Sequence, residues 1–427
     1  MQRPSTLSGW LAWQQTLHPS AIDLGLTRIR RALERLNWRA PDCPVITVGG
    51  TNGKGSSVAM LSEILGQAGY RVGTFTSPHL LRYNERIIIA GREVSDASLV
   101  AAFERIDVAR GDDTLTFFEF NALAALLIFE TAGLDAVILE VGLGGRLDAV
   151  NVVDADVALV VSIALDHCDW LGKDVEAIAR EKAGIFRAGR PAIFGSTAMP
   201  ESIAAVASAT GAHLLRQGRE FGYQRSGSQW HWRGRAMQLE DLPMPALIGD
   251  IQLDNASAVL AVLESLASRL PVSRDAIERG LRRAHVTGRF QIVHDRVDWI
   301  LDVAHNRAAA QALAEQLAQR RGAGRTIAIC GILADKDIDG IADALAASFD
   351  GWIVAGLSGD RAMAPALLAQ RLARTGIEVI ATAPTVAAAC EEAERTVQPG
   401  DTLVIFGSFL AVAPGLEWLR DRGILCD

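Results

Sequence analysis

The run Gly49-Gly50-Thr51-Asn52-Gly53-Lys54-Gly55-Ser56-Ser57 constrains this 427-residue chain more than any other segment. The apolar stretch Pro44 to Val48 precedes it and reads as a buried strand, and Ser57 to Gly69 follows with helical spacing. Glycines at such a junction let backbone N–H groups converge on an anion. The helix N-terminus adds partial positive charge, and Lys54 can reach terminal phosphates. Ser56 or Ser57 is then placed to hold Mg²⁺. The run departs from the regular phosphate-loop pattern, because Val48 stands where its first Gly would fall and Gly55 separates Lys54 from Ser56. The plain alternative is a structural turn that binds nothing.

Beyond that junction, short apolar runs ending in Gly or Ser alternate with helical patterns, which predicts an α/β fold with a mainly parallel sheet. Arg71 to Thr76, Leu134 to Val141 and Asp156 to Ala164 read as further strands. From about Arg216 to Glu240 the composition turns to Arg, Gln, Gly and Trp with period-two alternation, predicting a small antiparallel patch that decorates the first domain. Two helices follow, roughly Asn255 to Arg269 and Ser273 to Ala284. A second alternation then restarts near Asp295 and Arg296, so the expected domains are 1–296 and 297–427. The second set of strands is Trp299 to Val303, Thr326 to Ile332, Gly351 to Ala355, Glu378 to Ala381 and Thr402 to Phe406. About 130 residues suffice for a doubly wound domain, and ligands of open parallel sheets bind at the carboxyl ends of the strands.

Fifty acidic against 42 basic residues give a formal charge of -8, which disfavours a nucleic-acid binder. Only four cations are lysines: Lys54, Lys173, Lys182 and Lys336. The five cysteines, Cys43, Cys168, Cys330, Cys390 and Cys426, are far apart and form no C-x-x-C pair. Reduced thiols in a cytoplasmic protein are therefore expected. The N-terminus, beginning Met1-Gln2-Arg3-Pro4, has no secretory pattern, and no run of 18 apolar residues occurs, so neither secretion nor membrane spanning is expected.

Three more strand ends carry candidate chemistry. Glu140 to Asn151, read Glu-Val-Gly-Leu-Gly-Gly-Arg-Leu-Asp-Ala-Val-Asn, begins with a carboxylate where a Mg²⁺ ligand beside a phosphate loop belongs. Capping a helix or pairing with Arg146 is the other use for Glu140. Ser162 to Gly172 holds His167 among acidic residues, and Glu181-Lys182-Ala183-Gly184-Ile185 follows, where Lys182 is otherwise a helix-terminal cation. Thr74 to Arg86, with Pro78, His79, Tyr83 and two arginines, suits a loop closing over a flat, partly anionic ligand or an ordinary surface loop. In the second domain Asp302-Val303-Ala304-His305-Asn306 and Gly407-Ser408-Phe409 each end a strand, and Arg289 sits at the junction.

Taken in order, these segments resemble the folylpolyglutamate synthase family. The match runs from Ile22-Asp23-Leu24-Gly25-Leu26 through Gly50 to Ser56, Thr76 to Leu80, Glu140 to Asp148, Leu165 to Gly172 and Glu181 to Ile185 to Asp302 to Asn306 and Gly407 to Phe409. Val150 and Thr287 are departures, standing where the family pattern has Thr and Pro. The resemblance implies a Mur-ligase-like architecture: an N-terminal P-loop ATPase domain and a smaller C-terminal Rossmann-like domain that binds glutamate and closes the ATP cleft. It implies that Asn52, Gly53, Lys54, Gly55 and Ser56 hold the ATP phosphates, with Asn255, Arg289, Asp302 and His305 as further nucleotide contacts. Two Mg²⁺ ions are implied, with Ser56, Ser77, Glu140, His167 and Lys182 as ligands and Lys182 carbamylated. Lys54, Glu140, His167 and Lys182 form the implied catalytic set. Ala21, Ile22, Asp23, Thr116, Phe117, Phe118, Glu119, Leu147, Asp148 and Ala149 would hold the pteridine-bearing substrate.

The implied reaction is ATP-dependent amide formation between L-glutamate and dihydropteroate or reduced folates, through an acyl phosphate, by a cytoplasmic monomer. A Mur-type cell-wall amino acid ligase shares the ATP chemistry, but the Thr76 to Leu80 loop and the Asp23 segment speak against it. A regulatory nucleotide-binding module would need only the phosphate loop. The additional set of Glu140, His167 and Lys182 argues for chemistry.

Overall fold

The computed structural model describes residues 3–425, so Met1, Gln2 and Cys426 lie outside the described residues. The chain forms two compact units, Met1–Ala246 with Gln252–His285, and Leu247–Ile251 with Val286–Asp427. The units therefore part at His285, eleven residues before the expected break at Arg296. The strand Gln291–His294 pairs antiparallel with Asp298–Asp302, which draws the intervening segment into the second unit.

The first unit is built on eight strands: β1 (Val45–Gly49), β2 (Val72–Phe75), β3 (Ile87–Ile89), β4 (Arg92–Glu93), β5 (Ala136–Glu140), β6 (Val157–Val160), β7 (Pro191–Phe194) and β8 (His213–Arg216). Their order is β4-β3-β2-β5-β1-β6-β7-β8. From β2 to β8 every neighbouring pair is parallel, while β3 and β4 run antiparallel at the edge. The central strands are buried along their whole length, as expected where helices cover both faces, and that is why they read as continuous apolar runs. The antiparallel patch is present as β9 (Gly222–Ser226), β10 (Gln229–Arg233) and β11 (Gln238–Pro243), in the order β11-β10-β9. It is anchored by buried Trp230 and Trp232, the latter donating from its indole N–H to Ser257.

The second unit carries β12 (Gln291–His294), β13 (Asp298–Asp302), β14 (Thr326–Cys330), β15 (Gly351–Ala355), β16 (Val379–Ala383) and β17 (Thr402–Phe406), in the order β12-β13-β17-β14-β15-β16. All its pairs except β12 with β13 are parallel. Phe349, Trp352 and Phe406 pack ring against ring over its core, with buried Ile338, Ile341 and Leu345 beside them.

Two helices begin earlier than their apolar spacing suggests. The phosphate-loop helix is Lys54–Gln67, starting three residues before the expected Ser57 because left-handed Gly53 ends the turn. The helix Ile251–Ser265 places Asn255 in its second turn instead of at its start. Among the described residues no helix is long and apolar enough to cross a membrane.

Candidate active site

In the first unit's sheet β1 lies between β5 and β6, and β2 lies beyond β5, so four strands deliver their carboxyl ends side by side. The phosphate loop leaves β1 and is stitched to the segment leaving β6. Thr51 N–H donates to the Ser162 carbonyl at 2.8 Å, and Asn52 N–H to Ser162 Oγ at 3.2 Å. Thr51 Oγ1 bonds Ala164 in both directions. Gly53 caps the helix at φ +86°, a left-handed conformation that other residues adopt only with strain. A Cβ there would stand 2.5 Å from Asn255 Oδ1 and 2.7 Å from Val161 Cγ1. Gly53→Ala should therefore cost about 1 to 3 kcal/mol of stability and weaken nucleotide binding, as checked by thermal unfolding and an ATP titration.

Asn255 is buried, and its side-chain N–H donates to Gln252 at 2.9 Å. Its Oδ1, pressed against Gly53, has no hydrogen-bond donor among the described residues. An orphaned buried acceptor beside a phosphate loop fits a residue whose partner arrives with a ligand.

Two lysines meet at one backbone atom. Lys54 Nζ donates to the Gly50 carbonyl at 3.0 Å and to the Thr51 carbonyl at 3.1 Å. Lys182 Nζ donates to the same Gly50 carbonyl at 3.0 Å. Lys182 does end the helix Val175–Ala183, but its side chain turns inward and is 5% exposed, so it does not serve as a solvent-facing terminal cation. Burial first, and then the neighbouring Lys54 charge, pull its pKa down to about 7 against the opposing fields of Asp166 and Asp148.

Glu140 ends β5, is 5% exposed, and accepts the Ser77 N–H at 3.2 Å. It does not pair with Arg146, whose guanidinium instead bonds Glu181 at 2.9 Å. Ser77 and Glu140 thus come from neighbouring strand ends to one place. The loop after Ser77 is ordered by Glu85, which accepts N–H bonds from Leu80, Leu81 and Arg82. Buried Arg86 lies over the Tyr83 and Phe117 rings and donates to His79 Nδ1 at 2.8 Å, within the fields of Glu140 and Glu85. Burial and the Arg86 charge lower the His79 pKa to about 4.

His167 follows β6 with a left-handed backbone, φ +52°, fixed by its N–H donating to Asp166 Oδ1 at 2.9 Å. Among the described residues no three His, Cys, Asp or Glu side chains converge in a way that would hold a metal. Mg²⁺ bound beside a triphosphate is typically held by one or two carboxylates together with hydroxyls, phosphates and water. Glu140 and the Ser77 hydroxyl supply oxygen donors of the right chemistry.

Asp148 is buried and caps a short helical turn, accepting N–H bonds from Leu143 at 2.8 Å and Val150 at 3.0 Å. Burial raises its carboxyl to about 6 despite those bonds. Its loop is interlocked with the Lys182 helix. A Cβ on Gly145 would meet the Lys182 carbonyl at 2.8 Å, and one on Gly184 would collide with Arg146. The loop is thus packed directly on the helix, and Arg146 N–H also donates to the Glu181 carbonyl at 2.8 Å.

Thr116 and Glu119 are joined in a capping box that starts the helix Phe117–Glu130. Phe118 packs on Phe75, with ring centres 5.8 Å apart. Arg28, which the sequence alone does not single out, links this group to Asp23, and His18 Nε2 lies 3.4 Å from the same Asp23 carboxylate. No local pattern flags Arg28, because its partner Glu119 lies 91 residues away.

In the second unit Arg289, Asp302, His305 and Phe409 gather at the exits of the neighbouring strands β13 and β17. Asp302 accepts N–H bonds from Phe290 and Ala304, both at 2.8 Å, and burial raises its pKa although Arg289 opposes the shift. Arg289 lies over the Phe409 ring at 5.6 Å, and His305 Nδ1 bonds the Val303 carbonyl at 2.8 Å. A cation, an aromatic face and a held carboxylate make a site suited to a nucleotide or amino acid.

Comparison with known proteins accounts for both units. The family description Mur ligase middle domain matches residues 48–263, and Mur ligase, glutamate ligase domain matches residues 288–409. The chain is 45% identical to the dihydrofolate synthase/folylpolyglutamate synthase of Escherichia coli over 422 residues, 99% of this chain and 97% of that protein. The structure of E. coli FolC in complex with DHPP and ADP superposes with a TM-score of 0.93, covering 99% of this chain and 100% of that one at 45% identity. A bifunctional folylpolyglutamate synthase/dihydrofolate synthase with Mn, AMPPNP and L-glutamate bound gives a TM-score of 0.91 at 44% identity, over 98% and 100% of the two chains. These matches favour folate ligases over the cell-wall alternative. The chain belongs to the dihydrofolate synthase/folylpolyglutamate synthase family, ATP-dependent ligases built on the Mur-ligase domains.

Proposed function

We propose that this protein joins L-glutamate to dihydropteroate, making dihydrofolate, and adds further glutamates to reduced folates, with ATP as the activating reagent. The observation that carries the proposal is the meeting of Lys54 and Lys182 on the Gly50 carbonyl within a phosphate loop flanked by Glu140 and Asn255. Both amines thus stand at the mouth of a loop whose backbone N–H groups and helix N-terminus favour an anion, where they can reach its phosphates. The related structures described above hold ADP or AMPPNP, a divalent metal, DHPP and L-glutamate.

In this scheme the substrate carboxylate attacks the γ-phosphate and ADP leaves, giving an acyl phosphate. The glutamate amine then attacks the acyl carbon and phosphate departs. Lys54 and the Asn52 to Ser56 backbone hold the phosphates and offset charge spreading over the transferred group. Ser77 and Glu140, with Ser56, would hold one Mg²⁺, and His167 with Lys182 a second. When bound, the ions would neutralise phosphate charge. Arg289, Asp302 and His305 contribute nucleotide contacts, and the second unit takes up L-glutamate, in keeping with its match to a glutamate ligase domain. Asp23, Phe118 and the Leu147 to Ala149 loop hold the pteridine. The protein acts as a cytoplasmic monomer, a setting with which its four described cysteines, all free, agree.

Lys182 is carbamylated in this scheme: its neutral amine attacks CO₂, loses a proton and becomes an anionic oxygen ligand. A pKa of about 7 leaves about half of the amine neutral at pH 7, against roughly one in a few thousand for an ordinary lysine. Activity should therefore fall in CO₂-depleted buffer and return with bicarbonate, whereas Lys182→Ala should show neither response. The defining assay supplies ATP, Mg²⁺ and labelled glutamate with dihydropteroate or tetrahydrofolate in separate reactions. Incorporation with both is expected, and incorporation with neither would refute the proposal.

A further inference from the structure

Arg28 makes four contacts with two segments far apart in sequence. Its Nε donates to both Glu119 oxygens, at 3.1 and 3.2 Å, and its two terminal nitrogens donate to Asp23 Oδ2 and to the Asp23 carbonyl, each at 2.6 Å. The two carboxylates differ in kind. Glu119 is 4% exposed, and its Oε2 is already engaged by the Thr116 N–H at 2.8 Å and hydroxyl at 3.0 Å. Asp23 is 43% exposed, and its Oδ1 accepts no hydrogen bond among the described residues. Residues 22–25 belong to no helix or strand, so the Asp23 carboxylate is fixed mainly by Arg28, with His18 Nε2 3.4 Å from the same Oδ2.

We propose that Arg28 is a positioning residue for the pteridine-bearing substrate, holding Asp23 so that its Oδ1 accepts ligand N–H groups while Glu119 serves as the buried strut behind it. The inference rests on the folate reading above and narrows it: Asp23 touches the ligand, and Glu119 acts through Arg28. The guanidinium fork is what the geometry needs, since it reaches a side chain, a backbone carbonyl and a second carboxylate at once. Ordering the loop before the ligand arrives removes that cost from binding.

The test measures KM for dihydropteroate, KM for ATP, kcat and thermal midpoint in wild type, Arg28→Ala, Arg28→Lys, Asp23→Asn and the double variant Arg28→Ala with Asp23→Asn. Asp23→Asn keeps the Arg28–Glu119 pair, so it remains informative should Arg28→Ala unfold. Arg28→Ala and Asp23→Asn should each raise KM for dihydropteroate about tenfold or more, with KM for ATP nearly unchanged. The double variant should be no worse than the worse single one, and Arg28→Lys should rescue only in part. Multiplying effects in the double variant, full rescue by Lys, or a loss confined to kcat and thermal midpoint would overturn the proposal. Wild-type protein inert towards both folate substrates would overturn the folate reading itself, and this inference with it.

Discussion

Replacing Lys54 by Ala is expected to lower kcat about a hundredfold to a thousandfold, the usual cost of removing one preorganised charge from an electrostatically catalysed step. The fold should survive. Lys54 is partly exposed, and the two loop carbonyls to which it donates can be satisfied by water in its absence. Its removal also relieves Lys182, whose pKa Lys54 pushes down, so the thermal midpoint should stay level or rise. Lys182, with its folded-state pKa lowered to about 7, opposes folding below that pH, and the penalty fades as pH rises towards the ordinary lysine value. Wild-type and variant midpoints should therefore converge at alkaline pH. Equal turnover in the folded variant would remove Lys54 from the mechanism.

Glu140→Gln is the second large effect. Gln can still accept the Ser77 N–H while losing the charge, so it separates electrostatics from hydrogen bonding. Turnover should again drop about a hundredfold to a thousandfold, and the Mg²⁺ concentration for half-maximal rate should rise. Glu140→Ala is a poorer probe, since it removes the acceptor of the Ser77 N–H together with the charge, while both variants withdraw the compensation Glu140 gives buried Arg86. A Mg²⁺ titration unchanged from wild type would show that Glu140 does not hold the metal.

The strand-and-helix alternation, the phosphate loop and the residues leaving β5 and β6 are legible in the sequence because parallel strands buried on both faces are apolar throughout and end in glycine-rich turns. The edge hairpin β3–β4 is hidden by its turn. Ala90 and Gly91 both take positive φ, +50° and +76°, and alanine is not the residue that signals such a turn. The strand β12 is missed for a similar reason: its four residues carry too little alternation to stand out beside the break they help to make. Distance in sequence hides Arg28 in another way. Its meaning depends on Asp23 and Glu119 arriving at the same point, and no window along the chain contains all three.

The interlock of Gly145 with the Lys182 helix bears on any attempt to retune acceptor preference. With no space for a Cβ at Gly145 or Gly184, combinatorial libraries aimed at that seam should return mostly dead clones, whatever side chains they sample. Useful diversity is better sought at Phe118 and at positions around Asp23, which lie away from the seam that holds Lys182 on its carbonyl.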